Sequence, residues 1–402
     1  MRILIAHNYT RYRGGADESA EEDKQLLEQH GHEVYFYTRH NDEIENSSIF
    51  RKGCLFLEPT WSFQTYQNIK KIIREFKPDI LHCHSFFPLI SPSIYYVASR
   101  YRVPVVQTLH EYRLLCPIGW LLREQKICEE CIDHSLWRSI FYGCYHNSRL
   151  QTAAVALMLA IHRRLKTWSN QVDCFISVSN FSRDKFLQSG IQAKEFVVRP
   201  NFLSQDPGYS QADRQYALYV GRLSAEKGII TLLEAWRELP EIPLKIIGEG
   251  PLQPWVKEYV RQHQLQQVDL LGYLPLKTVL EYQSKAMFLV LPSLYYETFG
   301  RTVMEAYATG TPALVSSLGA LAELVEEEKT GLRFTPGDAH SLAITVRQAY
   351  TKPEQLTEWG HQARRLYESR FTPEVAYTSL MAIYQRAILL QRHSAIASKA
   401  TN

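Results

Sequence analysis

Short runs of β-branched and other apolar residues alternate with amphipathic stretches along almost the whole chain, and this alternation restricts the fold more than any single motif does. Parallel strands have to be joined by long crossovers, usually helical, so the pattern is that of βαβ units wound around parallel sheets. In the first half, strands are expected at 2–7, 33–38, 79–84, 103–109, 172–179 and 196–199. Helices lie between them, such as 17–30, which Gly31 closes as a C-terminal cap. The pattern breaks at 202–215, where Leu203-Ser204-Gln205-Asp206-Pro207-Gly208-Tyr209-Ser210 offers turn formers and no periodicity. A second series of strands follows at 216–221, 244–248, 268–272, 288–292 and 312–316. The tail is helical, with Ala376, Leu380, Ile383, Tyr384, Ala387 and Ile388 at helical spacing. At 402 residues the chain also exceeds what one core usually supports. The expectation is an α/β protein of two doubly wound domains, 1–203 and 216–371, joined by a linker at 204–215. Ligands would bind in a deep cleft at the carboxyl ends of both sheets.

A formal charge of +3 over this length is nearly neutral. That argues against nucleic-acid binding, which needs a concentrated basic surface. The apolar stretch at the N-terminus is far too short for a secretory signal and reads as a first buried strand. The longest wholly apolar run, 153–161, reaches about half of the ~20 residues that a membrane span requires. Seven cysteines, an odd number without an export signal, fit a reducing compartment, and the cytoplasm is the expected location.

Five segments carry chemistry. The strand at 288–292 runs into a loop holding Glu297, Phe299 and Gly300, then into a helix with Arg301, Thr302 and Glu305. A helix starting near Phe299 would aim free backbone N–H groups at an anion, with Glu297 in the loop above and Glu305 about two turns in. Two carboxylates repel phosphate but suit hydroxyl groups, such as those of a ribose and a sugar. A solvated acidic helix start explains the same residues. Next, Gly221-Arg222-Leu223-Ser224-Ala225-Glu226-Lys227-Gly228 leaves a strand with two cations that can clamp a diphosphate, or that simply line a solvated turn. Gly248-Glu249-Gly250-Pro251 is a tight turn after a third strand. Gly14-Gly15 opens the first helix as a phosphate loop or an ordinary turn. Finally, His110-Glu111 ends the strand at 103–109, where an imidazole is either functional or a buried structural group.

In this order the five segments resemble the retaining glycosyltransferases of family four, the large group one family. Pro200-Asn201 and Leu271-Gly272-Tyr273 extend the resemblance over nearly the whole chain. It implies the GT-B architecture of two Rossmann-like domains, with a last helix, 372–391, crossing back to the first domain before a tail at 392–402. It further implies Arg222 and Lys227 on the donor diphosphate, assisted by the amides of Arg301 and Thr302 and by Gly14-Gly15. Glu305 would take the ribose hydroxyls, Glu297 with the Phe299 and Gly300 amides the donor sugar, and Tyr273 and Gly250 would border the base. His110 would sit beside the anomeric carbon, polarising the donor without acting as a nucleophile. Retention of configuration is implied, with the leaving phosphate helping to take the acceptor proton. No Asp-x-Asp occurs in the sequence, so a catalytic metal is not expected and the cation role falls to Arg222 and Lys227. Glu111 stands where the family more often has Asp, and no fixed role is assigned to it. The implied partners are a UDP- or GDP-sugar of hexose type and a saccharide or lipid-linked saccharide acceptor of bacterial surface polysaccharide synthesis. A non-catalytic relative acting as scaffold or regulator is the alternative.

Two further features are open. Cys116, Cys128, Cys131 and Cys144 fall in an insertion at 112–147 with C-x-x-C at its centre, and a structural zinc, disulfides or unliganded thiols all fit them. The stretch 150–168 sets Ala153, Ala154, Leu157, Met158, Ile161 and Leu165 against His162, Arg163, Arg164 and Lys166. It would suit contact with the inner face of a membrane, and packing on the first sheet would explain it equally.

Overall fold

The computed structural model describes residues 1–11, 13–45, 56–210 and 213–400, without the side chains of 45 and 394–400. It divides into two units: Met1–Leu121 with Cys128–Asn201 and Ala376–Asn402, and Leu122–Ile127 with Phe202–Val375.

The first unit is built on β1 (Arg2–Tyr9), β2 (Glu33–His40), β3 (Ile80–Ser85) and β4 (Val105–Leu109), followed after the hairpin strands β5 (Leu122–Arg123) and β6 (Lys126–Ile127) by β7 (Cys174–Ser177) and β8 (Phe196–Val198). Its sheet runs β2-β1-β3-β4-β7-β8, parallel throughout. Central β1 is covered on both faces and reads as a continuous apolar run, while edge β2 alternates buried and exposed residues. The helix Phe63–Phe76 shows how the crossovers are specified. Ser62 caps it by accepting from the Thr65 N–H, and Ile69, Ile72 and Ile73 turn inward at helical spacing. The core joins Ile3, Ile5, Ile80, Val106 and Ile176 to Leu380, Ile383, Tyr384 and Ala387 of the last helix, Pro373–Ala400.

The second unit carries β9 (Tyr216–Val220), β10 (Leu244–Ile247), β11 (Val268–Gly272), β12 (Ala286–Leu291), β13 (Ala313–Ser316) and β14 (Gly331–Phe334). They form one parallel sheet in the order β11-β10-β9-β12-β13-β14. Trp236, Phe288, Leu314 and Trp359 fill its core. Counted within the unit this is strand order 3-2-1-4-5-6, with its switch point between β9 and β12. The first sheet switches between β1 and β3. In open α/β sheets, ligands bind outside the carboxyl ends of the strands that flank such a point.

The segment expected as the linker is fastened to the second unit. Arg364 Nη1 and Nη2 each lie 2.6 Å from an Asp206 oxygen, and Tyr209 stacks on His361 at 5.0 Å. Polarity made 204–210 look like a spacer, but its charge is spent on a specific partner. Residues 211–212 of that expected linker and 401–402 of the expected tail lie outside the described residues. The short strand β14 was not anticipated, and the insertion at 112–147 contains the hairpin β5-β6, which groups with the second unit.

Candidate active site

In the second unit, two loops leave the sheet at its switch point. Arg222 and Lys227 follow β9, and Glu297 follows β12. The two loops are tied together where the Leu294 N–H donates to the Glu226 carbonyl at 2.8 Å. Gly228 sets the approach. Its φ is 72°, and a Cβ there would lie 1.8 Å from the Pro292 carbonyl oxygen, so only glycine lets the first loop lie against the end of β12.

This closeness builds a polar cluster. Lys227 Nζ is 2.7 Å from Glu297 Oε1, Ser293 Oγ donates to the same oxygen at 2.8 Å, and Tyr295 Oη donates to Oε2 at 2.6 Å. Burial disfavours the Lys227 ammonium, but the Glu297 carboxylate and the Tyr295 hydroxyl outweigh it, so its pKa stands above the ordinary lysine value. Burial, then the charge of Glu297, raises the Tyr295 phenol. Arg222 lies at the rim, held to Glu226 and, at 3.3 Å, to Ser224 Oγ.

The helix that follows starts at Arg301, with Gly300 as its N-cap, two residues later than expected. Glu305 is buried in it, with Arg301 Nε 3.9 Å away. Phe299 packs its ring against Phe371 in the core, so only its backbone can face a ligand. Thr302 stands in the first turn, with its carbonyl accepting from Gln283 Nε2. Gly250 sits in a turn closed by the Leu223 N–H bond to the Glu249 carbonyl, and Tyr273, after β11, is largely exposed.

In the first unit, Gly14 caps the helix Gly15–Gln29, but its N–H is already taken by Asp17 Oδ2 at 3.0 Å. Asp17 also meets His7 Nε2 at 2.7 Å and the Thr10 hydroxyl at 2.9 Å. Burial disfavours this carboxylate, yet those bonds hold its pKa below the usual range. The chain thus supplies its own anion at this helix start, which Gly14-Gly15 read as a phosphate loop does not anticipate. His110 follows β4 directly and lies half-buried, with its Nε2 3.0 Å from His84 Nδ1. Glu111 has a definite partner: Arg113 contacts both of its oxygens at 2.9 and 3.0 Å, while stacking on Phe87.

The described cysteines are free of disulfides. Cys116 and Cys131 are buried, and Cys128 and Cys144 half-buried. A hydrogen bond from the Cys131 thiol makes Cys116 the readier thiolate of that pair. Arg163 reaches the carbonyls of Leu114 and Leu115 at 3.0 and 2.9 Å, with its charge facing both thiols. Of the face expected to meet lipid, the helix Arg149–Arg164 buries Ala154 and Met158, leaves Ala153 and Ile161 half-buried and exposes Leu157, and Leu165 just beyond it is exposed. Further exposed apolar groups nearby include Trp137 (76%), Phe141 (68%), Leu150 (70%) and Tyr142. Among the described residues no helix is long and apolar enough to cross a membrane.

Sequence reasoning did not single out Ser293, Tyr295, Asp23 or His84. His84 had one available signal: with His82 it forms an i, i+2 pair on one face at the carboxyl end of β3.

Two family models match consecutive parts of the chain: Glycosyltransferase Family 4 over residues 13–206 and Glycosyl transferases group 1 over residues 205–366. The chain is 28% identical to glycogen synthase of Mycobacterium tuberculosis over 333 residues, covering 78% of this chain and 70% of that one. It is 23% identical to alpha-monoglucosyldiacylglycerol synthase of Streptococcus pneumoniae over 388 residues, covering 92% and 82%. Among solved structures, Anabaena HepE in complex with UDP superposes with a TM-score of 0.68 at 18% identity, covering 96% of this chain and all of that one. At that identity the likeness speaks for the fold alone, which is GT-B. Two doubly wound sheets with polar loops at their switch points, matched along 13–366 by these two models, place the chain in the group 1 glycosyltransferases of family 4.

Proposed function

We propose that the protein is a retaining, metal-independent hexosyltransferase that moves a sugar from a nucleoside diphosphate sugar to a saccharide or lipid-linked saccharide. The half-buried cluster of Lys227, Glu297 and Tyr295 around the buried Ser293 carries this reading. A cation and a carboxylate held 2.7 Å apart at a sheet switch point offer adjacent positions for a diphosphate and for sugar hydroxyls. Lys227 and Arg222 would neutralise the leaving diphosphate, the start of the helix Arg301–Ala308 would add N–H donors, and Glu305 would take ribose hydroxyls. His110 is proposed to position and polarise the donor sugar. That HepE was crystallised with UDP and that another relative is a glucosyldiacylglycerol synthase supports this donor and acceptor class. Synthesis of a bacterial surface polysaccharide is the proposed setting.

Glu297→Gln tests the reading: near-complete loss of transfer is expected, with donor binding largely kept. Full activity would sink the assignment, and binding without transfer in the unaltered protein would favour the scaffold alternative. The anomeric configuration of the product, followed by proton NMR, tests retention.

Two subsidiary proposals concern the first unit. The exposed Trp137, Phe141 and Leu150, beside Arg138 and Arg149, are proposed to rest on an anionic cytoplasmic membrane face. Cosedimentation with phosphatidylglycerol vesicles should drop at least several-fold in Trp137→Ser/Phe141→Ser. Cys116, Cys128, Cys131 and Cys144, whose sulfurs do not all converge within ligand distance of one another, are proposed to gather onto a structural zinc, whose excess thiolate charge Arg163 would offset. Metal analysis should then give about one zinc per chain, and none in Cys116→Ser/Cys131→Ser.

A further inference from the structure

Behind His110 the first unit holds a string of buried polar groups with no part in the reading above. His84 Nδ1 faces His110 Nε2 at 3.0 Å, with the two ring planes only 16° apart and their centroids 5.2 Å apart, so that the rings meet edge to edge. The other nitrogen of His84 is buried without a hydrogen bond, and Asp23 Oδ2 lies 3.5 Å from it. Asp23 is itself fixed by the Arg199 guanidinium, Nη2 to Oδ1 at 2.6 Å and Nη1 to Oδ2 at 3.1 Å. The carbonyl of His84 is pinned by Gln107 Nε2 at 3.0 Å.

Asp23, His82 and His84 bring ligand atoms within 4.8 Å of one another, but their partners argue against a metal. Arg199 already supplies the positive charge at Asp23. Both nitrogens of His82 are engaged, Nδ1 with the Tyr384 hydroxyl at 2.8 Å and Nε2 with the Thr108 hydroxyl at 2.7 Å.

We propose that His84 is a positioning residue for His110, fixing the tautomer and the ring plane of its imidazole with Asp23 behind. Burial, and then the neighbouring His82, His110, His7 and Arg199, keep His84 neutral, so it carries a single N–H. With that proton on Nε2 the N–H faces the Asp23 carboxylate. With it on Nδ1, a bare lone pair would face the same anion. The first arrangement is favoured, which leaves Nδ1 of His84 as an acceptor. His110 Nε2–H then donates to it, and the lone pair of a neutral His110 is confined to Nδ1. An imidazole whose tautomer is fixed by the bond at its other nitrogen is the general device by which histidines are oriented. The inference rests on the role proposed for His110.

Two experiments test it. Nitrogen-15 NMR of histidine-labelled protein, assigned with His84→Asn and His110→Ala, should show His84 and His110 both as Nε2–H tautomers. An Nδ1–H form of His84 would overturn the inference whatever the activity. In steady-state assays, His84→Leu should lower kcat about 10- to 100-fold with little change in the donor KM. His84→Asn keeps an acceptor where Nδ1 stood and should recover most of the rate, whereas His84→Gln, whose polar atoms reach the Nε2 position, should not. That ranking decides the matter even if the Leu variant fails to fold. Adding His84→Leu to His110→Ala should cost nothing further. Additive losses, or equal rates in the Asn and Gln variants, would show a merely structural role. If His110→Ala itself keeps full activity, the reading of His110 has failed, and the tautomer measurement still stands as the test of His84.

Discussion

The Lys227–Glu297 pair confronts any phosphate-bearing ligand with a cation already engaged. A diphosphate that takes Lys227 must weaken its bond to Glu297 or share it, and a freed Glu297 can then turn to a hydroxyl. Lys227→Met should therefore weaken nucleoside diphosphate binding by about 10- to 100-fold in calorimetry, the equivalent of one charge-assisted hydrogen bond. Glu297→Gln should leave affinity for the diphosphate without sugar unchanged or improved. The contrast between those two variants is the content of the prediction. At this scale the sequence was informative about ionisable groups after strands and silent about their partners. Lys227, Glu297 and His110 were legible because their spacing places them at strand ends. Tyr295 and Ser293 were not, since a hydroxyl near a carboxylate in sequence says nothing of where it points. Asp17 at the Gly14 N–H was hidden for a related reason: an acidic residue in a first helical turn usually serves its own helix, and only the bonds from His7 and Thr10 show how firmly it is held.

Among elements, the turn from β9 into the helix Ile229–Trp236 is tightly constrained. Gly228→Ala meets both a left-handed backbone and the Pro292 carbonyl, whereas Gly31 shares the left-handed φ, 77°, with open space around it. Gly31→Ala should cost about 1 kcal/mol, and Gly228→Ala clearly more, because Pro292 has to move. In a unit of this size each kcal/mol lowers Tm by about 2–4 °C, so differential scanning calorimetry separates the two. Gly228→Ala should also reduce donor binding, since it displaces Lys227. Strand positions were legible in both halves because buried parallel strands read as apolar runs. How the linker is fastened was not legible, because composition cannot tell a solvated segment from one whose Asp206 meets a waiting Arg364.

For the molecule as a whole, buried histidines make the first unit sensitive to acid. Burial pushes His82 down to about 4, and His84 and His162 also stand below the ordinary histidine value, first because of burial. In the unfolded chain these imidazoles take up protons near pH 6.5, which the folded unit resists. Their contribution to stability is thus complete above about pH 6.5 and falls away as pH drops towards 4, by roughly 3 kcal/mol for His82 alone. Melting followed from pH 7 to 4 should show this loss, and His82→Gln should flatten it.

The return of the last helix has a consequence for how the chain is made. Leu380, Ile383, Tyr384 and Ala387 complete a core begun by Ile3 and Ile5, so the first unit is begun before the second and closed after it. On the ribosome the second unit, whose residues all precede 376, can finish while its predecessor still waits for a lid of its own. A nascent chain stalled before Leu380 would then expose the apolar underside of the first sheet, so synthesis of the last helix is the step at which that sheet becomes safe from aggregation.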